Sequence, residues 1–568
     1  MATNNILKNV YGPGTFTDAF FTPLPAECHR LLKFFARVTP GFTNNASLLD
    51  SVEFHGGDLP IIPGPLKSQA LSAVCQAMIG IVGKEICLLK DFEAGNVIID
   101  VDKSGLYPAT PGLVFIDGKN LKEIQQQGIL LKAGADLDKG IFHKNAMHYR
   151  SWSLYPTRDP HVWYQILSSL NPPAFLRAYG LDPDAAVSSN NEAYELIKSE
   201  MVKYSAAELD QKNMEYGFCG QTCYTPEQWK NTTMGKSLAA HPMINYRQVV
   251  STSDLPPVPF PKSEDKRPLA GIKVIELSRV IAGPALGTAL ASLGADVIKV
   301  QSPNLPDLQA LSVTLTAGKR NLALDISVEE DKKKLQDLIQ DADVIIQAFR
   351  LRSLERKGFG LNEVLQMANK RGKGVVYLDL NCYGPDGYYS ERPGFQHIAD
   401  AASGCSYVCG KAYGFEEGVS VLPPLPVADM LCGAVGVIDI LLALRDRAKH
   451  GGSYHATVAL TAIDTAQLDE EVGLYHPEIV NKIQEKYQFQ PMTPELHVEE
   501  LLLILMASWK QHSDILRRDG YMVTFSETPW GNTHTILSPI IQYENSSANP
   551  RWTHGPVPYC ASTDVKWK

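Results

Sequence analysis

Residues 267–301 read RPLAGIKVIELSRVIAGPALGTALASLGADVIKVQ, and this stretch decides the fold. Positions 272–277 are apolar and rich in β-branched side chains, as a parallel strand covered on both faces should be. A tight turn with Gly283 and Pro284 follows at 279–284. Small and aliphatic residues over 285–293 predict a helix packed closely on a sheet. Gly294 stands where a helix ends in a left-handed residue, and 295–300 is a second strand. The unit is a βαβ. A dinucleotide turn in such a unit needs G-x-G-x-x-G so that backbone amides can approach the pyrophosphate. This turn is R-V-I-A-G-P, which argues against NAD and FAD.

The alternation continues outward. Strands are expected near 322, 344 and 375, and helices at 329–340, 361–370, 396–403 and 427–447. Ser327 with Glu330 forms an expected capping box. Residues 268–463 therefore read as a doubly wound, Rossmann-like α/β domain that does not bind a dinucleotide. The remaining divisions are an extension at 1–58, a mixed α+β part at 59–250, a Pro-rich linker at 251–267 and a helical, turn-rich tail at 464–568. The linker, STSDLPPVPFPKSEDKR, is expected to be exposed between separately cored parts. A weak internal repeat crosses it. IIPGP, an apolar helix at 66–90, a glycine and a strand at 96–101 are echoed by LPPLP, an apolar helix at 427–447, two glycines and a strand at 454–460.

Composition narrows the function. The 568 residues are 44% hydrophobic and 20% charged, which allows a large core. A net charge of −9 without a basic run argues against nucleic acid. The N-terminal stretch has no secretory pattern, the most apolar run, 501–506, is too short to span a bilayer, and the final residues match no peroxisomal address. The C-x3-C pairs Cys219/Cys223 and Cys405/Cys409 lack histidine partners, so no metal site is expected. Reduced thiols in a cytoplasmic protein are the reading.

Further segments occur in a telling order: GKRNLALD at 318–325, ADVIIQAFR at 342–350, LERKGFG at 354–360, CYGPDG at 382–387, RPGF at 392–395 and AASG at 401–404. Together with 267–301 they resemble the family III CoA-transferases, which include formyl-CoA transferase, carnitine CoA-transferase and α-methylacyl-CoA racemase. The resemblance implies a CoA-transferase with coenzyme A or acyl-CoA and a small organic acid as substrates. It also implies an interlocked homodimer. LYPTRDPHVWYQIL at 154–167 resembles the approach to the family's smaller domain, which normally follows the large one. Its position before the linker suggests a fused double copy, one whose halves would complete the ring within a monomer. By the same resemblance Val280, Lys319, Phe349, Arg356 and Lys357 hold CoA. Val280 and Phe349 would pack on adenine, and Lys319 and Arg356 would meet phosphate oxygens. Ser302 replaces one basic residue of the family pattern.

The family's nucleophile is an aspartate directly after R-P-x-aromatic. Gln396 occupies that slot, and Asp400 follows one helical turn on. An amide has no anionic oxygen with which to attack a thioester. Three readings stand open. Asp400 has become the nucleophile, displaced by about 6 Å along the helix axis. Gln396 only polarises or positions an acyl-CoA. Asp400 is a helix-face carboxylate with a structural partner. A racemase, the alternative activity, pairs a histidine with the missing aspartate. His397 is nearby but reads as a core or surface residue. A non-catalytic acyl-CoA-binding protein is the alternative of another class. Asp429 reads as structural, at a helix N-terminus where the dipole favours an anion.

Overall fold

The structure, a computed structural model, describes residues 6–138, 144–250 and 255–568. A seven-stranded sheet forms its centre. In chain order the strands are β1 Tyr246–Gln248, β2 Lys273–Leu277, β3 Asp296–Gln301, β4 Arg320–Ala323, β5 Val344–Gln347, β6 Val376–Asn381 and β7 Tyr454–Ala459. They lie in the order β1-β7-β6-β5-β2-β3-β4. All pairs are parallel except β1, which runs antiparallel along the edge of β7. From β2 the chain steps outward through β3 and β4, then returns to lay β5, β6 and β7 on the other side. This is the doubly wound arrangement, with its reversal between β2 and β5.

Six helices position the site: α1 Ser68–Leu89, α2 Ala282–Ser292, α3 Gln396–Ser403, α4 Val427–His450, α5 Leu460–Gln467 and α6 Val498–His512. Helices α1 and α4 are each long and apolar enough to cross a membrane, but both are buried in the fold and pack against each other. A helix that is apolar all round is satisfied only when surrounded. Helix α2 packs on α4 so closely that a Cβ on Gly436 would stand 2.4 Å from Leu286 Cδ1.

The layout noted in the sequence recurs in space. Helix α1 leads to strand Val97–Asp100, which runs straight into the short helix Val101–Leu106. Helix α4 leads to β7, which runs straight into α5 in the same way. Val97–Asp100 pairs in parallel with Val52–His55, as β7 pairs with β6. Between the two stretches, Leu154–Pro156, Trp163–Leu167 and Cys219–Thr222 form a small antiparallel sheet with its own core around Tyr155, Tyr164 and Phe175. The tail holds a feature absent from the sequence reading. Met522–Thr528 and Gly531–Leu537 make a hairpin that extends Val114–Ile116 into a four-stranded sheet.

Two local expectations need correction. One buried cluster runs from Leu24 through α1, α2 and α4 to Ile541, so the parts on either side of the linker share a core. The reason is that α1, before the linker, and α4, after it, bury apolar faces on each other. Of the linker itself, 251–254 lie outside the described residues. The rest is exposed along 261–264 and tied down at both ends, through Val258 N to Arg447 O and a buried Arg267. The capping box does not form either. Val328 is the N-cap of the helix Glu329–Asp341, while the Ser327 hydroxyl donates to Asp325 Oδ1 at 2.6 Å.

Candidate active site

The carboxyl ends of β2 and β5 diverge at the reversal of strand order, where open α/β sheets bind their ligands. The turn after β2 presents Val280 with φ at +67°. A β-branched residue in that region stores about 1–3 kcal/mol of strain, so the turn must be held from outside. Asp307, buried in the loop after β3, does so by accepting the Val280 N–H at 3.0 Å. Underneath, Glu276 is fully buried between two lysines. Lys299 Nζ donates to Glu276 Oε1 (3.0 Å) and Ser278 O (2.8 Å); Lys319 Nζ donates to Glu276 Oε2 and Pro284 O (both 2.6 Å). The lysines thus grip both ends of the turn. Gly287 makes room, because a Cβ there would meet Glu276 Oε2 at 2.0 Å. Burial pushes the Lys319 ammonium down to about 8, and Glu276 offsets part of that.

This corrects one expected CoA ligand. Lys319 is fully buried and its donors serve Glu276 and the turn, so it shapes the site without facing a phosphate. Val280 does line the cleft. Phe349 lies half-buried at the end of β5, with the Arg279 guanidinium 5.6 Å from its ring centre. Arg350, Arg356 and Lys357 are exposed beyond it, the last two in the turn Glu355–Lys357. Arg279, two residues past the end of β2, stands beside Phe349 and was not singled out from the sequence. Its signal was an arginine at the C-terminal end of the strand that opens the fold.

A cleft lies against Val280 and Ile281. Its other walls come from distant stretches, with Trp152 from before the small sheet and His497 and Leu502 from the start of α6. Gln396, His397 and Asp429 line it together. Gln396 opens α3 with its amide nitrogen donating to Leu425 O (2.9 Å) and Asp400 Oδ2 (3.0 Å). Gln396 thus lines the cleft from the first turn of α3.

Asp400 does not, and the expectation of a second cleft carboxylate on α3 is corrected. It is fully buried and does not line the cleft, because position i+4 lies one turn deeper into the protein. Its carboxyl faces Asp464 of α5, whose Oδ1 accepts from Gln467 at 2.9 Å. Two buried carboxyls can bond only by sharing a proton. Burial drives Asp400 well above the carboxylate range, and Asp464 is pushed up to about 8. The two carboxyls thus hold one proton between them at neutral pH.

His397, read as a core or surface residue, lines the cleft edge-on to Trp152 at 5.9 Å. Neither of its ring nitrogens finds a partner among the described residues, and burial alone pushes it down to about 4. Asp429, read as structural, is the aspartate of α4 that reaches the cleft; burial raises its carboxyl to about 7.

Comparison with known proteins fits this geometry. The family model for CoA-transferase family III matches residues 269–495. The chain is 47% identical over 562 residues to an acyl-CoA transferase of Gibberella moniliformis, covering 98% of both chains. It is 30% identical over 470 residues to the acetyl-coenzyme A transferase nodX of Hypoxylon pulicicidum, covering 81% of this chain and 78% of that one. It is also 34% identical over 233 residues to the beta subunit of succinyl-CoA–L-malate CoA-transferase of Chloroflexus aurantiacus, covering 39% of this chain and 55% of that one. The doubly wound sheet, the cleft at its switch point and the near full-length relative agree: the chain belongs to the family III CoA-transferases.

Proposed function

We propose that the protein moves CoA between an acyl-CoA thioester and a small carboxylic acid, with the thioester seated in the cleft beside Gln396 and the nucleotide at the switch point. The carrying observation is the cleft itself. It is largely apolar, carries the amide of Gln396 and the carboxyls of Asp429, Asp138 and Glu499, and lies on the carboxyl side of a sheet where Arg279, Phe349, Arg350, Arg356 and Lys357 gather. A thioester needs the first environment, whereas an adenine and phosphates need the second. The carboxylate acceptor is supported by the malate CoA-transferase relative. A cytosolic setting is part of the proposal, supported by ten free cysteines, nine of them buried.

The racemase alternative is weaker. It asks a base to take an α-proton, and His397, held near 4, is a poor base at neutral pH. The test is to incubate the purified protein with acetyl-CoA or succinyl-CoA and a panel of carboxylates, then identify new CoA thioesters by mass spectrometry. Exchange of CoA onto an acid is expected. α-Deuterium exchange without transfer would favour the racemase, and CoA binding with neither would favour a carrier.

A further inference from the structure

We propose that Asp429 is the nucleophilic carboxylate of the transfer reaction, an assignment that rests on the transferase reading above. The family pattern gives this task to the position of Gln396, which here is an amide. Attack on a thioester requires an anionic or readily ionised oxygen. The cleft is also lined by Asp138 and Glu499, each already engaged with a partner, while Asp400 and Asp464 are engaged with each other away from it. Asp429 lines the cleft beside Gln396 and His397.

Its surroundings do not fit a structural role. Asp429 is 7% exposed, yet its carboxyl accepts no hydrogen bond from any described residue. Unlike the sealed oxygens of Asp400, Asp439 and Asp464, its carboxyl opens onto the cleft. An acid serving as a helix cap would bond the backbone N–H of the N-cap. That residue is Pro426, which has none. What remains is a carboxyl aimed into a ligand cavity at the third position of a 24-residue helix, where the dipole favours its anion. The ionisable groups around it are Asp400, Asp464, Cys382 and Cys432, with neutral His397 alongside in the cleft wall. Burial without a compensating cation leaves it near 7, ionised in a useful fraction at neutral pH.

The chemistry closes without an added reagent. An Asp429 oxygen attacks the thioester carbonyl; the new C–O bond replaces the C–S bond and CoA leaves as its thiolate. That thiolate attacks the Asp429 carbonyl, releases the donor acid as a carboxylate and leaves an aspartyl-CoA thioester. The acceptor carboxylate then attacks this thioester and expels the thiolate, which takes the acceptor's acyl group and frees Asp429. No proton or electron is consumed.

The test is to incubate the wild-type protein with acetyl-CoA in the presence of hydroxylamine and to locate the trapped hydroxamate by peptide mass spectrometry. The expected site is Asp429. Asp429→Asn should lose the adduct and reduce transfer about a thousandfold or more, with CoA binding unchanged by calorimetry. A hydroxamate on Asp400 or elsewhere, transfer without any adduct, or transfer persisting in Asp429→Asn overturns the assignment alone. A wild-type protein that transfers nothing overturns the transferase reading with it. Should Asp429→Asn fail to fold, the wild-type adduct map decides.

Discussion

Replacing Lys319 with methionine separates a phosphate ligand from a buried strut. The side chain is fully buried, and its ammonium donates at 2.6 Å to both Glu276 and Pro284 O. Hydrogen bonds involving a charged group are worth about 1.5–3 kcal/mol each, so two are worth about 3–6. Methionine recovers part of this. It fills much the same volume and removes an ammonium whose burial is costly, while Lys299 still neutralises Glu276. A net loss of about 2–4 kcal/mol is expected. At about 2.1 cal/mol/K per residue the 568-residue chain unfolds with an entropy near 1.2 kcal/mol/K. The melting temperature should therefore fall by about 2–3 °C. Glu276→Gln should be worse, because it strands two buried ammonium groups. Differential scanning fluorimetry and urea unfolding read the stability, and calorimetry reads CoA affinity. An unchanged melting temperature with a large loss of CoA affinity would refute the strut and restore Lys319 as a phosphate ligand.

Other perturbations probe the cleft and the core. With Asp429 raised to about 7, kcat/KM for acyl transfer should fall as the pH drops through 7 and level off above it. Stability should move oppositely. A carboxyl held protonated by the fold contributes stability below its unfolded pKa, and this is lost as pH rises through 7, a slope that Asp429→Asn removes. An acid limb unchanged in that variant would contradict both statements. Arg350→Ala or Arg356→Ala, each on an exposed side chain, should weaken CoA binding about tenfold and flatten its salt dependence, with the melting temperature unmoved. Limited proteolysis should cut within 261–264, yet the two pieces should stay together on gel filtration because α1 remains packed on α4. Fragments that separate without denaturant would show that the core is not shared.

The sequence by itself determined the doubly wound sheet, since strands buried on both faces, a glycine-ended helix and the recurrence of strand and helix are local properties of 267–301 and the segments after it. It also determined that an amide, Gln396, follows R-P-G-F at the start of a helix, and that the proline turn, long helix and strand occur twice. Only the tertiary structure decided what each ionisable side chain does. Lys319 and Arg356 are equally basic on paper; one is sealed under α2 by Glu276 and the other stands in water. Asp400 and Asp429 are both acids on helices, and their fates part because α5 brings Asp464 to the first while the second faces the cleft. Burial and partnership are set by elements far apart in the chain, here α5, α6 and the stretch around Trp152. Periodicity and spacing report a residue's own helix or strand, and are silent on what the rest of the fold lays against it.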